Sequence, residues 1–245
     1  MWGFLDCTHY LHRHGQTNVV LKDASLIAED DDAIAIFAPP GRGKTTIVRL
    51  VMGMDRPVEG VVLCPAGAWP LGYAGGFRAE MTGEENVRVM AHLSGIDPDE
   101  LSAFVYSFSE LDDAYFLPVA YYTNRMKGRL GFATSLGIPS RVIVADDKLV
   151  PSDGAFREKC ESELRRQLET AGLIFLTSNP RGAEDICDRF FVLNNSQFEE
   201  FDTYAQANEK LEEIKVRQDI DPDEAENSIV EQEQTNNAML YFDLV

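Results

Sequence analysis

The sequence predicts an α/β fold built on a parallel β-sheet, and three observations support this. Short apolar runs at residues 34–37, 141–145 and 173–177 are typical of strands that are buried on both faces of a sheet. Amphipathic stretches with helical spacing alternate with these runs along the chain. A glycine-rich turn containing a lysine follows the first of these runs and precedes a helical pattern.

The first quarter of the chain predicts three strands and one helix. The strands are residues 19–21, residues 34–37, which end at a Pro-Pro-Gly turn, and residues 61–63. Between the second and third strands, apolar residues recur at helical spacing from Lys44 onward. The sequence Asp-Arg-Pro at residues 55–57 is expected to end that helix.

The middle of the chain is predicted to be helical. Helical spacing recurs around residues 83–94, 99–111 and 125–136, so we predict a helical subdomain at about residues 78–140. A further helix is predicted at 154–171, between the last two apolar runs. From residue 216 the chain is acidic, Gln/Asn-rich and poorly periodic, which predicts one domain over 1–215 and a disordered tail over 216–245.

The formal net charge of the 245-residue chain is −19, and it is unevenly distributed. Residues 199–245 carry 14 acidic and 3 basic side chains, a net charge of −11. Nucleic acids and anionic lipids bind a basic face, so we expect no nucleic-acid partner.

The four cysteines are far apart, and no run approaches the ~20 apolar residues that span a bilayer. We therefore expect an intracellular protein with reduced thiols.

A phosphate-binding loop is the strongest chemical signal in the sequence. Strand, glycine-rich loop and helix follow one another in the order that a P-loop requires, although alanine replaces the first glycine of the pattern. In such a loop the backbone N–H groups surround the phosphates, the lysine adds a mobile charge, and the following threonine binds Mg²⁺. The predicted nucleotide-binding residues are Ala38, Pro39, Pro40, Gly41, Arg42, Gly43, Lys44, Thr45 and Thr46.

Two acids at the end of a later strand complete the predicted site. Asp146 follows four small apolar residues, and a P-loop needs such a distant acid to hold the coordination shell of its metal. We therefore predict ATP and Mg²⁺ as cofactors, with Thr45 and Asp146 as the metal-binding residues. Asp147 stands where a carboxylate that polarises the attacking water is usually placed.

Residues 69–86, with the sequence WPLGYAGGFRAEMTGEEN, are more specific than a general P-loop protein requires. They resemble the W-P-x-G…G-G-F…T-G-x-E-N segment of the ATP-binding subunits of ABC transporters that export capsular polysaccharide. The resemblance continues in register and covers about residues 5–210. It includes residues 104–122, 126–133, 153–160 and 186–193.

The resemblance implies a RecA-like ABC ATPase core with an inserted helical subdomain. Two subunits would sandwich two ATP molecules, with the P-loop of each facing the signature of the other, here Asn124 and Arg125. It also implies that Tyr10 stacks on adenine, although an aromatic residue packed near a strand end is an equally weighted alternative. The implied partners are a polysaccharide-export permease and a second ATP-binding subunit, identical or homologous. The chain would then lie peripherally on the cytoplasmic face of the inner membrane.

Four positions depart from the family's pattern, and all four lie at hydrolysis or sandwich-closing positions. Arg78 replaces a glutamine and cannot accept a hydrogen bond or coordinate a cation, and Arg125 replaces the signature glycine. Asp147 replaces the catalytic glutamate, and a carboxylate misplaced by ~1 Å costs on the order of a hundredfold in rate. Asn179 replaces the switch histidine and does not titrate near neutral pH.

Lys44, Thr45 and Asp146, the residues that would bind phosphate and Mg²⁺, are not among these departures. This pattern favours nucleotide binding with weakened hydrolysis. The first interpretation is therefore the ATP-binding subunit of an ABC transporter that exports capsular or related polysaccharide. Its candidate catalytic residues are Arg78, Asp147 and Asn179. The second is a regulatory pseudo-ATPase that pairs with an intact homologue. The third is an unrelated P-loop ATPase, because Pro-Pro-Gly-x-Gly-Lys-Thr also occurs in AAA-type ATPases, although residues 69–86 count against it.

Overall fold

A computed structural model describes residues 1–13, 16–72 and 76–220. These residues form two compact units. Of the described residues, the first unit contains Met1–Ala68, Arg141–Asp147 and 170–220, and the second contains Trp69–Ser140 and Lys148–Glu169. The predicted start of the tail at residue 216 falls within a helix that continues to Ile220, and residues 221–245 lie outside the described residues.

The secondary structure follows the predicted alternation of strands and helices. The strands are β1 (Trp2–Arg13), β2 (Gln16–Ala28), β3 (Ala33–Phe37), β4 (Glu59–Leu63), β5 (Ala68–Pro70), β6 (Val142–Asp146), β7 (Gly172–Thr177), β8 (Arg189–Asn194) and β9 (Gln197–Phe201). The helices are α1 (Lys44–Val51), α2 (Gly83–Ser94), α3 (Pro98–Ser109), α4 (Asn124–Gly137), α5 (Gly154–Leu168) and α6 (Tyr204–Ile220). Two short 3-10 turns, Asp112–Phe116 and Val119–Tyr121, lie between α3 and α4.

The larger sheet aligns the strands that carry the predicted nucleotide site. Its strand order is β5-β6-β7-β3-β8-β9. β6, β7, β3 and β8 pair in parallel, whereas β9 pairs antiparallel with β8. Phe37 is in register with Thr177, and Asp146 is in register with Leu176. The chain therefore leaves β3, β6 and β7 at the same edge of the sheet.

Burial on both faces explains why these strands were recognisable. Residues 34–37 of β3 are fully buried, and the central residues of β6 and β7 are buried as well. β1, β2 and β4 form a separate antiparallel sheet with the order β2-β1-β4. The core of the first unit joins Trp2 and Phe4 of β1 to Ile36 of β3, Leu50 of α1 and Ile174 of β7.

The second unit is a small helical core in which three of the helices, α2, α3 and α4, begin with a side-chain cap. Val87 of α2, Leu101 of α3, Leu130 of α4 and Phe156 of α5 are all buried. Thr82 and Glu85 form a reciprocal capping box at the start of α2, and Asp97 and Thr123 cap α3 and α4. The predicted helix at 154–171 was too long, because α5 ends at Leu168 and β7 begins at Gly172.

No helix in the described part of the chain is both long enough and apolar enough to cross a membrane.

Candidate nucleotide-binding site

The loop between β3 and α1 presents backbone N–H groups at the start of a helix. Gly43 precedes α1 with φ +83°, in the left-handed region that favours glycine. A Cβ placed there would lie 2.5 Å from Val20 Cγ1, so a larger residue would displace β2. No side chain caps α1, which leaves the N–H groups of its first turn available to an anion.

Lys44, Thr45 and Asp146 lie together at the edge of the sheet where β3 and β6 end. The Lys44 side chain is only 9% exposed, and its Nζ lies 3.6 Å from Oδ2 of Asp147. Thr45 donates a hydrogen bond from Oγ1 to Oδ2 of Asp146 at 3.0 Å. The loop and the strand-end acid, 101 residues apart in the sequence, are therefore in direct contact.

Asp146 has a spare oxygen that fits a metal ion. Its Oδ1 is buried and has no hydrogen-bond partner within the described residues. Burial raises the pKa of Asp146, and the Thr45 hydroxyl and Lys44 partly oppose that rise. A bound Mg²⁺ would stabilise the charged carboxylate and would neutralise phosphate charge.

The donors present are those of a magnesium site shared with a nucleotide. Thr45 supplies a hydroxyl and Asp146 a carboxylate oxygen, both hard ligands that Mg²⁺ prefers. Within the described ranges, no group of three or more His, Cys, Asp or Glu side chains could hold a metal. Phosphate oxygens and waters would therefore have to supply the rest of the coordination shell, as is usual for Mg²⁺.

Asp147 contacts the loop that follows β7 (residues 178–188), here called the switch loop. Oδ1 of Asp147 accepts hydrogen bonds from Ser178 N at 2.9 Å and Ser178 Oγ at 3.2 Å. The predicted switch residue Asn179 is exposed, and its Oδ1 accepts a hydrogen bond from Arg181 N at 3.4 Å. Ser178, which the sequence interpretation passed over, is thus the switch-loop residue that contacts Asp147.

Tyr10 lies on the strand next to the one that contacts the P-loop. It is partly exposed on β1 and is in register with Val19 of β2. The next residue, Val20, has the side chain that lies against Gly43. The β1–β2 hairpin therefore flanks the loop, which is compatible with the adenine-stacking role that the resemblance implied for Tyr10.

The remaining predicted residues belong to the second unit. Arg78 is exposed before α2, and its backbone is held by the buried amide of Asn86. Asn124 and Arg125 begin α4 and are exposed. The Arg125 guanidinium is bound by Asp153, whose carboxylate also accepts a hydrogen bond from Arg129 Nε at 2.6 Å. Asn86 and Asp153 were not among the predicted site residues.

The structure thus brings most of the predicted nucleotide site together in one unit. Ala38 is buried at the start of the loop, and its N–H donates to Thr177 O at 3.0 Å. Pro39 is buried, whereas Pro40, Gly41 and Arg42 are exposed. Thr46 is buried in the first turn of α1. The three exposed residues lie ahead of the helix N-terminus, on the part of the loop that solvent and ligands can reach.

Comparison with solved structures defines the class of protein. The chain resembles the dimeric structure of a post-hydrolysis state of the ATP-binding cassette MJ0796 bound to ADP and Pi, with a TM-score of 0.67 and 17% sequence identity. The match covers 81% of this chain and 97% of that chain. The fold is therefore that of an ABC ATPase cassette, a P-loop NTPase, as the sequence predicted.

Sequence relatives define the family within that class. The ATP-binding protein BexA of Haemophilus influenzae is 32% identical over 82% of this chain and 93% of its own length. The capsule polysaccharide export ATP-binding protein CtrD of Neisseria meningitidis serogroup B is 32% identical over 79% of this chain and 91% of its own length. The polysialic acid transport ATP-binding protein KpsT of Escherichia coli is 29% identical over 82% of this chain and 91% of its own length.

The chain belongs to the family of ATP-binding subunits of ABC transporters that export capsular and related polysaccharides. This membership confirms the resemblance seen at residues 69–86 and sets aside the alternative of an unrelated P-loop ATPase. No family model matches the chain.

Proposed function

We propose that this chain binds ATP and Mg²⁺ at the loop between β3 and α1 and acts as the nucleotide-binding subunit of a transporter that exports capsular or related polysaccharide. The observation that carries the proposal is the contact of Thr45 with Asp146, beside the nearly buried Lys44. The unpartnered Oδ1 of Asp146 supports a metal ion at this position. The α1 N–H groups and Lys44 would hold the phosphates, and Tyr10 would stack on the base.

The transporter role requires partners beyond this chain. The relatives' names describe export and transport, so we propose a polysaccharide-export permease as the membrane partner. A second ATP-binding subunit would complete each site with Asn124 and Arg125. The chain would then be peripheral, held on the cytoplasmic face of the inner membrane by the permease.

We propose that hydrolysis is weakened. Arg78, Arg125, Asp147 and Asn179 stand at the positions where the family's pattern has a glutamine, a glycine, a glutamate and a histidine. Asp147 is also engaged by Ser178 and lies beside Lys44, which differs from a carboxylate free to orient a water. Arg125 and Asn179 likewise have partners within their own units.

The same observations favour a second candidate function, a regulatory pseudo-ATPase paired with an intact homologue. Such a heterodimer would keep one working site, contributed by the intact subunit's catalytic residues. The two functions differ in what the neighbouring gene encodes. A second ATP-binding subunit with an intact signature favours the heterodimer, whereas a permease alone favours the homodimer.

ATP binding and turnover by the purified chain, with and without Mg²⁺, test the proposal. Replacing Lys44 with alanine removes a nearly buried cation whose charge-assisted bonds to phosphate are worth about 1.5–3 kcal/mol, so we expect about a 10- to 100-fold loss of ATP affinity. Lys22→Ala removes the same charge from an exposed position of β2 and should leave the affinity unchanged. Calorimetric titration measures both variants.

Three outcomes separate the interpretations. Binding with slow turnover supports weakened hydrolysis. Turnover comparable to that of an intact exporter subunit, with the chain alone or with its permease, refutes weakened hydrolysis but leaves nucleotide binding standing. Absence of ATP binding by the folded wild-type chain refutes the proposed function.

A further inference from the structure

The backbone at Asp147 turns directly after β6. Its φ is +59°, in the left-handed region that aspartate and asparagine adopt more readily than most residues. Its N–H donates a hydrogen bond of 2.7 Å to Leu176 O, which extends the β6–β7 pairing by one residue. The turn thus occurs while the backbone is still anchored to β7, the strand that leads into the switch loop.

The carboxylate of Asp147 divides its two oxygens between two loops. Oδ1 accepts both donors of Ser178, the backbone N–H and the hydroxyl, at 2.9 and 3.2 Å. Oδ2 lies 3.6 Å from Nζ of Lys44. One side chain therefore connects the lysine of the P-loop to the first residue of the switch loop.

The two halves of this connection differ in strength. The Ser178 bonds have normal hydrogen-bond lengths to a charged acceptor, which makes them the firmer contact. The separation of 3.6 Å from Lys44 is that of an ion pair without a short hydrogen bond, and Asp147 is 45% exposed. The contact between Asp147 and Lys44 is therefore more easily replaced by another anion than the contact between Asp147 and Ser178.

Lys44 needs an anion at this place whether or not a nucleotide is bound. Its side chain is 91% buried, and a buried ammonium without a counter-charge is costly. A nucleotide phosphate carries more charge than one carboxylate and would compete with Asp147 for the same ammonium. Loss of the lysine contact would leave the Asp147 carboxylate, which is 45% exposed, held by Ser178, so the carboxylate can shift and change the geometry of the Ser178 hydrogen bonds.

We propose that Asp147 is a positioning residue that holds Lys44 and the start of the switch loop together until a nucleotide phosphate replaces it on the lysine. The inference rests on the proposed function, because it requires phosphate to bind at Lys44. Its consequence is a direct link between phosphate binding and the switch loop within one subunit. The link uses Ser178, not the predicted switch residue Asn179.

Nuclear magnetic resonance of the backbone amide of Ser178 tests the link. In the wild-type chain, ADP should change the chemical shift of this amide, because its acceptor moves when phosphate takes Lys44. Adenosine, which lacks phosphate, should leave the shift unchanged. In Asp147→Ala, where the acceptor is absent, ADP should no longer shift the Ser178 amide, which separates the proposed link from a direct effect of nearby nucleotide.

The affinity for ADP gives a second, independent measurement. Asp147→Asn keeps an acceptor for Ser178 and tolerates the left-handed backbone, but it removes the competing negative charge. An ion pair at 3.6 Å with one exposed partner accounts for about a two- to fivefold change in equilibrium, so ADP should bind about two- to fivefold more tightly. Asp185→Asn removes the same charge from an exposed position in the switch loop and should leave ADP affinity unchanged.

The outcomes distinguish this inference from the proposed function. The inference is supported when ADP, but not adenosine, shifts Ser178 in the wild type and Asp147→Asn binds ADP more tightly. It is overturned when ADP binds the wild type while either the Ser178 shift or the gain in affinity is missing. Failure of the folded wild-type chain to bind ADP overturns the inference and the proposed function together.

Discussion

At the scale of single residues, the side chain of Asn86 forms several hydrogen bonds at the start of α2. It is buried, and its Oδ1 accepts a hydrogen bond of 2.7 Å from Arg78 N. Its Nδ2 lies within hydrogen-bond distance of the carbonyl oxygens of Arg78, Met81 and Thr82. A single amide group thus fixes the turn that carries Arg78 into α2.

Asn86→Ala should therefore destabilise the chain strongly. The substitution leaves the part-buried Arg78 N–H without its acceptor, whereas the carbonyl oxygens of Arg78, Met81 and Thr82 keep backbone donors. An unsatisfied donor of this kind costs about 1–3 kcal/mol, so we expect a loss of that size in the free energy of unfolding, measured by urea denaturation. His92→Ala, at an exposed position of the same helix, should change stability by less than about 0.5 kcal/mol. Equal effects of the two variants would contradict this role of Asn86.

The site residues predicted from the residue pattern itself are those whose chemistry is local. Ala38 to Thr46 form one contiguous segment that runs from the loop into α1, and Asp146 ends an apolar strand, so each could be recognised from its immediate neighbours. Ser178 acts through Asp147, which lies 31 residues away, and Asp153 acts on Arg125 from 28 residues away. Contacts of that kind depend on how the strands and helices assemble, which periodicity does not encode.

At the scale of elements, Asp153 joins the start of α5 to α4. Its side chain is only 9% exposed, and it binds Arg125 and Arg129, which lie one turn apart on α4. Arg129 also pairs with Glu110, 3.2 Å away, and its guanidinium lies 4.9 Å from the Phe156 ring centroid. The ion pairs and this ring contact fasten α4, α5 and the end of α3 to one another.

The Asp153 contacts predict a pH dependence with a definite sign. Hydrogen bonds from Arg129 and Arg125 lower the pKa of Asp153 to about 2, so the charged form is favoured in the folded chain. Its stabilisation is fully present above about pH 4, the ordinary aspartate range, and is lost as the pH falls toward the folded value. The difference in unfolding free energy between wild type and Asp153→Asn should therefore be largest near neutral pH and shrink below about pH 4.

Urea denaturation of the two chains across this pH range measures the effect. Arg125→Ala is the matched control, because it removes one partner of Asp153 and leaves Arg129 in place. Its loss of stability should be smaller than that of Asp153→Asn, and a pH-independent difference for Asp153→Asn would contradict the assignment.

The elements missed by the sequence interpretation share a physical cause. β1 carries register shifts and a left-handed Asp6 (φ +47°), so its side chains do not alternate regularly. The β8–β9 hairpin turns through Asn195 and Ser196, both with positive φ, without the glycine that usually marks such a turn. α6 is rich in Glu and Gln, and among its residues 204–217 the buried side chains form a narrow stripe of Ala207, Leu211 and Ile214. Tertiary packing, more than local preference, forms these elements.

At the scale of the whole molecule, the uneven charge bears on self-association. The chain carries a formal charge of −19, and residues 221–245 contain seven acidic and no basic side chains. Removing residues 221–245 would change the net charge from −19 to −12 and would leave Lys44, Thr45 and Asp146 in place. A chain ending at residue 220 should therefore bind ADP with unchanged affinity, while any association of two chains should become easier.

The last prediction follows from the proposed ATP-bound pair of subunits. Two chains of like charge repel, and salt screens that repulsion, since the Debye length falls from about 10 Å at 0.1 M to about 3 Å at 1 M. With Mg²⁺ and a saturating non-hydrolysable ATP analogue, the self-association constant measured by analytical ultracentrifugation should rise with salt. The rise should be smaller for the chain ending at residue 220, whose net charge is lower. Association that weakens with salt would instead mean that attraction between charges at the interface outweighs the overall repulsion.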